Sequence, residues 1–223
     1  MTDQPQTPCL VPAVASPKIL DSVRSFYAKL IAEQGPTPAG VDWPDARRQT
    51  IRFRELCRLF PTNGQTFSVL DYGCGYGALL AYLQTNGFSC EYYGFDICEP
   101  MIEAARRAHP GFKDRFLGAL DYNNSFDFVV SSGVLSSKRN ADLQVWEDQV
   151  WATLDIMNQV SKKGFAFNVL SAWRESHRKL DFLYYGDPAE YLRKVWRYSP
   201  NIALLHDYDL WDFTVLVRKC IPA

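Results

Sequence analysis

Histidine is scarce in this chain of 223 residues, which has three, and its six cysteines include no Cys-x-x-Cys pair. Cys9, Cys57, Cys74, Cys90, Cys98 and Cys220 have no histidine at ligand spacing, which excludes a structural zinc centre and leaves free thiols of a reducing cytosol. An excess of one charge is also missing. Lysine and arginine number 24 against 25 aspartates and glutamates, so no broad basic surface exists for phosphate contacts and no nucleic-acid partner is expected. No apolar run reaches the roughly 18 residues needed to span a bilayer. Met1-Thr2-Asp3-Gln4 has neither the basic nor the apolar region of a signal peptide. A cytoplasmic protein with no membrane partner is expected. Asp121, Asp127 and Asp142 do not converge in the sequence pattern, so metal independence is expected as well.

What is present suffices for one core. Nearly half of the residues are hydrophobic, enough for a single domain with an N-terminal extension. Residues 1–15, rich in Pro, Gln and Thr, read as a disordered tail. Residues 16–63 read as a helical cap and residues 64–223 as a cofactor-binding catalytic domain. In the cap, Ile19, Leu20, Val23, Phe26 and Tyr27 recur at helical spacing over Pro17 to Lys29, with Ser16 as N-cap. A second helix is expected over Trp43 to Phe60, with Asp42 as N-cap and Pro44 in its first turn.

From Phe67 the pattern alternates. Strands are expected at Phe67 to Asp71, Glu91 to Asp96, Phe116 to Leu117, Phe126 to Ser131, Lys163 to Leu170, Ile202 to His206 and Phe213 to Arg218. Helices are expected at Tyr76 to Asn86, Pro100 to His109 and Val145 to Val160. This rhythm predicts an α/β fold with a doubly wound, mostly parallel sheet. The six residues from Asp207 to Asp212 are too few for a crossover helix, so the last two strands should form an antiparallel hairpin.

The run Ser68-Val69-Leu70-Asp71-Tyr72-Gly73-Cys74-Gly75-Tyr76-Gly77-Ala78 holds most of the functional information. An apolar strand ends in an acid, three alternating glycines follow, and a helix begins. Glycines so placed let a ligand approach the main chain where a Cβ would clash. Gly73-x-Gly75-x-x-Ala78 with Asp96 nineteen residues after Gly77 satisfies the dinucleotide fingerprint, which keeps an NAD-binding oxidoreductase open. Asp71 weighs against it: a carboxylate beside the loop suits a cationic ligand and opposes a pyrophosphate.

Val69-Leu70-Asp71-x-Gly73-x-Gly75-x-Gly77, followed by Gly94-Phe95-Asp96-Ile97-x-x-x-Met101-Ile102-x-x-Ala105, resembles motifs I and II of the class I S-adenosylmethionine-dependent methyltransferases. The resemblance covers Phe67 to Arg218 and implies a Rossmann-like sheet of seven strands with the last one antiparallel. It implies that Gly73 and Gly75 lie against the methionine part of the cofactor, that Asp96 accepts from the ribose hydroxyls, and that Ile97 and Met101 flank the adenine. Where many members carry an acid after the third strand, Phe116-Leu117-Gly118-Ala119-Leu120 has none, so backbone around Leu117 is expected to meet the base. Gly35 to Phe53, Val130 to Val134 and Ala203 to Tyr208 resemble a group of small bacterial methyltransferases. That likeness implies that Trp43 and its helix fold over the cofactor, with Gln49 or Arg52 meeting the methionine carboxylate.

Methyl transfer chiefly requires the nucleophile to be held in line, with a base optional. Ser132 and Gly133 after the fourth strand, and Asn168 near the end of the fifth, are expected near the sulfonium. Trp173, Tyr184 and Tyr185 are candidate contacts for the acceptor, and His206, beside Asp207 and Tyr208, is the candidate base. The fourth-strand end lacks the Asn/Asp-Pro-Pro-Tyr run of enzymes that methylate base nitrogens. The expected function is methylation of a small-molecule O, N or S acceptor in specialised metabolism. A protein- or RNA-modifying enzyme, for which Trp146, Trp151 and Trp196 would line an exposed groove, is the first rival. The second is the NAD-binding oxidoreductase, and the third a cofactor-free partner protein, which the intact acids and glycines oppose.

Overall fold

The computed structural model describes residues 17–219, so the expected tail, the Ser16 cap, Cys9 and Cys220 lie outside the described residues. Helix α1 (Pro17–Gln34) continues five residues past the expected end. It stops at Gly35, whose φ of +66° lets its N–H turn back to the Ile31 carbonyl at 2.9 Å. A short 3-10 turn, Ala39–Val41, precedes α2 (Ala46–Cys57). The α2 cap is Asp45, which accepts from the Arg48 N–H at 2.7 Å. Asp42, the expected cap, has a φ of +63° and closes the 3-10 turn, so Pro44 lies ahead of the helix.

The remaining elements are β1 (Phe67–Tyr72), α3 (Ala78–Thr85), β2 (Cys90–Phe95), α4 (Glu99–Ala108), β3 (Phe116–Leu117), β4 (Phe126–Ser131), α5 (Leu143–Val160), β5 (Ser161–Leu170), α6 (Pro188–Val195), β6 (Asn201–Leu205) and β7 (Asp212–Arg218). Helix α6 was absent from the sequence reading, although Asp187-Pro188 signals it. Asp187 accepts from the Ala189 N–H at 2.8 Å, and Pro188 opens the first turn.

The seven strands lie in the order β3-β2-β1-β4-β5-β7-β6. The first five pair in parallel, and β7 runs antiparallel to both β5 and β6. Strand direction alternates side chains between the two faces of the sheet. Val69 therefore packs with Phe53, Leu56, Leu79, Leu80 and Ile102 under α2, α3 and α4, while Leu70 packs with Val150, Leu154, Met157 and Tyr191 under α5 and α6. Helix α2 shares the core of the sheet, while α1 packs on α4. The strand order reverses between β1 and β4, which is where a crevice forms in an open α/β sheet.

Candidate active site

The glycine loop leaves β1 at this reversal. Gly73, Gly75 and Gly77 have φ of +82°, +53° and +84°, a region L side chains avoid. The Gly73 and Cys74 N–H groups donate to the Phe95 carbonyl at 2.7 and 3.0 Å, which fixes the loop to the end of β2. A Cβ on Gly73 would lie 2.1 Å from Cγ2 of Val134. Asp96 completes the cradle, with Oδ2 accepting from the Gly75 N–H and Oδ1 from the Cys98 N–H, each at 2.9 Å.

Asp71 is buried and Asp96 half-buried. Burial pushes the Asp71 carboxyl up to about 7, against the pull of the Tyr92 hydroxyl that donates to it at 2.8 Å. Burial also raises Asp96, and the two backbone amides offset part of that rise. Among the described residues no lysine or arginine lines the cavity that contains these acids, so its walls favour a cationic guest. Gln49 adds donors, because its Oε1 accepts from the Tyr76 hydroxyl at 3.2 Å and its amide N–H groups remain for a ligand carboxylate. Glycine backbone, buried acids without a protein cation, and a free amide donor all fit S-adenosylmethionine.

Ten of the expected residues line this one cavity: Trp43, Gln49, Asp71, Gly73, Gly75, Asp96, Ile97, Met101, Ser132 and Gly133. The others lie elsewhere. Gly77 is the residue before α3, and its Cα faces His109 and Phe116. Arg52 does not reach the cavity, because its guanidinium is bound to Asp212. Leu117 faces a separate open depression with Arg106 and Lys113, and its carbonyl accepts from the Asp96 N–H at 3.2 Å. Asn168 is buried behind the wall: its Oδ1 accepts from the Gly133 N–H at 2.9 Å, and its Nδ2 donates to the Ser132 hydroxyl at 3.2 Å. It shapes the Ser132-Gly133 turn and does not line the chamber.

The acceptor-side candidates are corrected as well. His206 lies between Trp173, tilted against it, and Phe213, edge-on to it, outside the cavity, since β6 is the edge strand, and partial burial lowers its pKa. Trp173 is 60% exposed, Tyr184 is buried against Tyr191 and Glu147, and the Tyr185 hydroxyl accepts from the Leu180 N–H. None of the three lines the cavity. Among the groove tryptophans, Trp146 is buried in the cavity wall with its indole N–H on the Leu135 carbonyl at 2.9 Å.

The roof and the opposite wall are built from residues outside the expected set. Leu20, Val23 and Tyr27 of α1 face a wall that includes Trp146, Val150 and Thr153 of α5. The helical stripe on α1 was visible, but nothing local indicated what it covered. Arg24 anchors the roof by donating to the Ile97 carbonyl at 3.2 Å. Arg139, at φ +52°, reaches up from the segment after β4. It stacks 3.1 Å from the Phe26 ring centroid and pairs with Asp42 at 2.7 Å.

A family model described as a methyltransferase domain matches residues 45–202. A Mycobacterium tuberculosis protein, Rv1506c, itself a methyltransferase by provisional assignment, is 40% identical over 155 residues, covering 69% of this chain and 93% of that protein. The 1,6-didemethyltoxoflavin-N1-methyltransferase of Burkholderia thailandensis, solved with 1,6-didemethyltoxoflavin and S-adenosylhomocysteine, matches with a TM-score of 0.63 at 17% identity over 98% of this chain and 93% of that one. The magnesium protoporphyrin IX methyltransferase of Synechocystis, solved with S-adenosylmethionine, gives 0.60 at 13% identity over 93% and 100%. At these identities the structural likeness is one of fold.

Proposed function

Since this chain belongs to the methyltransferase family and is an S-adenosylmethionine-dependent enzyme, we propose that its acceptor is a small molecule, methylated on O, N or S in specialised metabolism. The observation that supports this is the apolar chamber joined to the glycine cradle, roofed by Leu20, Val23 and Tyr27 and walled by Trp146 and Val150. A chamber under a helix suits a compact apolar guest better than a polymer. Trp146 within that wall also removes the exposed tryptophan groove on which a macromolecular substrate was premised.

The cofactor, when bound, supplies a methyl group activated on a cationic sulfonium. In this reading Gly73 and Gly75 let the main chain approach it, Asp96 holds the ribose, Gln49 donates to the carboxylate, and Asp71 balances positive charge. Helix α1 and the turn after it act as the cap over the catalytic domain. No histidine lines the cavity among the described residues, and its tyrosines Tyr27, Tyr72 and Tyr76 are all raised by burial, which keeps them protonated near neutral pH and leaves no tyrosinate to take a proton. With Asp71 and Asp96 given to the donor in this reading, the acceptor atom is one that carries its lone pair unprotonated near neutral pH, such as an aromatic nitrogen or an acidic phenol.

A cytosolic location is part of the proposal. It is supported by the free thiols of Cys57, Cys74, Cys90 and Cys98 and by the lack, among the described residues, of a helix long and apolar enough to cross a membrane. The test is transfer of labelled methyl from S-adenosylmethionine to a panel of flat, apolar small molecules, with unstructured peptides and transfer RNA as controls. Label in the small molecules alone is expected, and label in peptide or RNA alone would reject the acceptor class.

A further inference from the structure

Trp43, in the cavity wall, rests on an unusual support. A Cβ on Gly133 would come within 2.5 Å of its ring, so ring and backbone are in direct contact. On Trp43 also stands the Arg52 guanidinium, 4.1 Å from the ring centroid. Arg52 is 5% exposed, with Nε donating to Oδ2 of Asp212 at 2.5 Å and Nη1 to the Arg48 carbonyl at 3.0 Å. Asp212, at the start of β7, is 2% exposed, and its Oδ1 is buried with no partner.

A buried ion pair contributes little net stability, because desolvating both charges offsets their attraction. Its position suggests what it does instead. The Arg52 cation lies one aromatic ring from a cavity whose charged side chains are the acids Asp71 and Asp96. The methyl donor that this cavity takes carries one more positive charge than the product left after transfer. An uncompensated Arg52 would therefore oppose the donor more than the product.

We propose that Asp212 and Arg52 are a positioning pair that sets the preference of the site for the charged methyl donor over its spent product. Arg52 backs Trp43 against Gly133, and Asp212 cancels the cation that would otherwise act through the ring. This rests on the reading that the cavity holds S-adenosylmethionine. Calorimetric titration of the full chain with S-adenosylmethionine and S-adenosylhomocysteine tests it, using the ratio of the two affinities as the readout.

In Asp212→Asn the ratio should shift about tenfold toward S-adenosylhomocysteine, the size of one unbalanced charge acting at an effective dielectric near 20. In the double variant Arg52→Met with Asp212→Asn, the ratio should return to within about twofold of the unaltered protein while both ligands weaken equally, because Trp43 has lost its backing. An unchanged ratio in Asp212→Asn overturns the proposal. If that variant does not fold, Arg52→Met decides instead: leaving Asp212 without its cation should shift the ratio toward S-adenosylmethionine, and an unchanged ratio overturns the proposal. Failure of both ligands to bind the unaltered protein would instead reject the donor-site reading.

Discussion

The cavity has two walls of different origin. The cradle side is drawn largely from one stretch of chain, with Asp71, Gly73, Gly75, Asp96, Ile97 and Met101 spanning β1 to α4. The roof side joins Leu20 and Tyr27 of α1 to Trp146 and Val150 of α5, more than a hundred residues later. Backbone conformation and backbone hydrogen bonds shape the first wall, whereas side-chain packing and one ion pair shape the second. The first is thus set by steric rules that tolerate almost no substitution. The second can change its lining while the helices persist.

If that contrast is right, Gly73→Ala should have the largest effect. The methyl group would sit 2.1 Å from Val134 at a φ of +82°. Strain of about 1–3 kcal/mol would fall on the cradle itself, and S-adenosylhomocysteine should no longer raise the melting temperature. A preserved shift would show that the cradle is more plastic than its geometry says.

An intermediate effect is expected from pH. Asp71 is raised from an ordinary carboxyl to about 7 by burial, so the folded state holds its proton more tightly than the unfolded chain. For an acid raised in this way, its contribution to stability is present below the unfolded value near 3.8 and is lost as pH climbs to about 7. Affinity for a cationic ligand should move oppositely, rising over the same window and levelling above it. Melting curves and titrations of S-adenosylmethionine from pH 5 to 8 check both signs, and Asp71→Asn should flatten both.

The smallest effect belongs to the roof. Arg139→Ala removes the stack on Phe26 and the pair with Asp42. The loss, about 1–2 kcal/mol for a largely buried cation–π contact, should appear as faster hydrogen exchange in α1. S-adenosylhomocysteine affinity should change less than about fivefold. A larger loss would mean that the roof also holds the donor.

How much could be read in advance follows the same division. Gly73, Gly75, Asp71 and Asp96 line one cavity as the sequence pattern suggests, because a positive φ and a strand-end carboxylate leave marks within a few residues, whereas Gly77 lies outside it. The strand hairpin from Asn201 to Arg218 was legible from the short link between its arms. Arg52, His206, Trp173, Tyr184 and Tyr185 fall outside that cavity, since residue type and neighbourhood say nothing of which partner a side chain finds. Arg52 finds Asp212, 160 residues away. Asn168 looked like a group for the reaction, yet its amide serves Gly133 and Ser132. Leu117 was assigned to the base from the fold's general plan, and here the strand β3 is two residues long and faces another depression.

By itself the sequence determined the α/β plan, the glycine cradle and the positive ligand it suits, since these follow from local conformation, alternation of elements and the sign of the acid before the glycines. Only the tertiary structure decided what closes the site and what backs it: α1 overhead, α5 opposite, and the Asp212–Arg52 pair behind Trp43. Those contacts join segments far apart in the chain, and such packing leaves no local signature because its energy resides in the partner as much as in the residue.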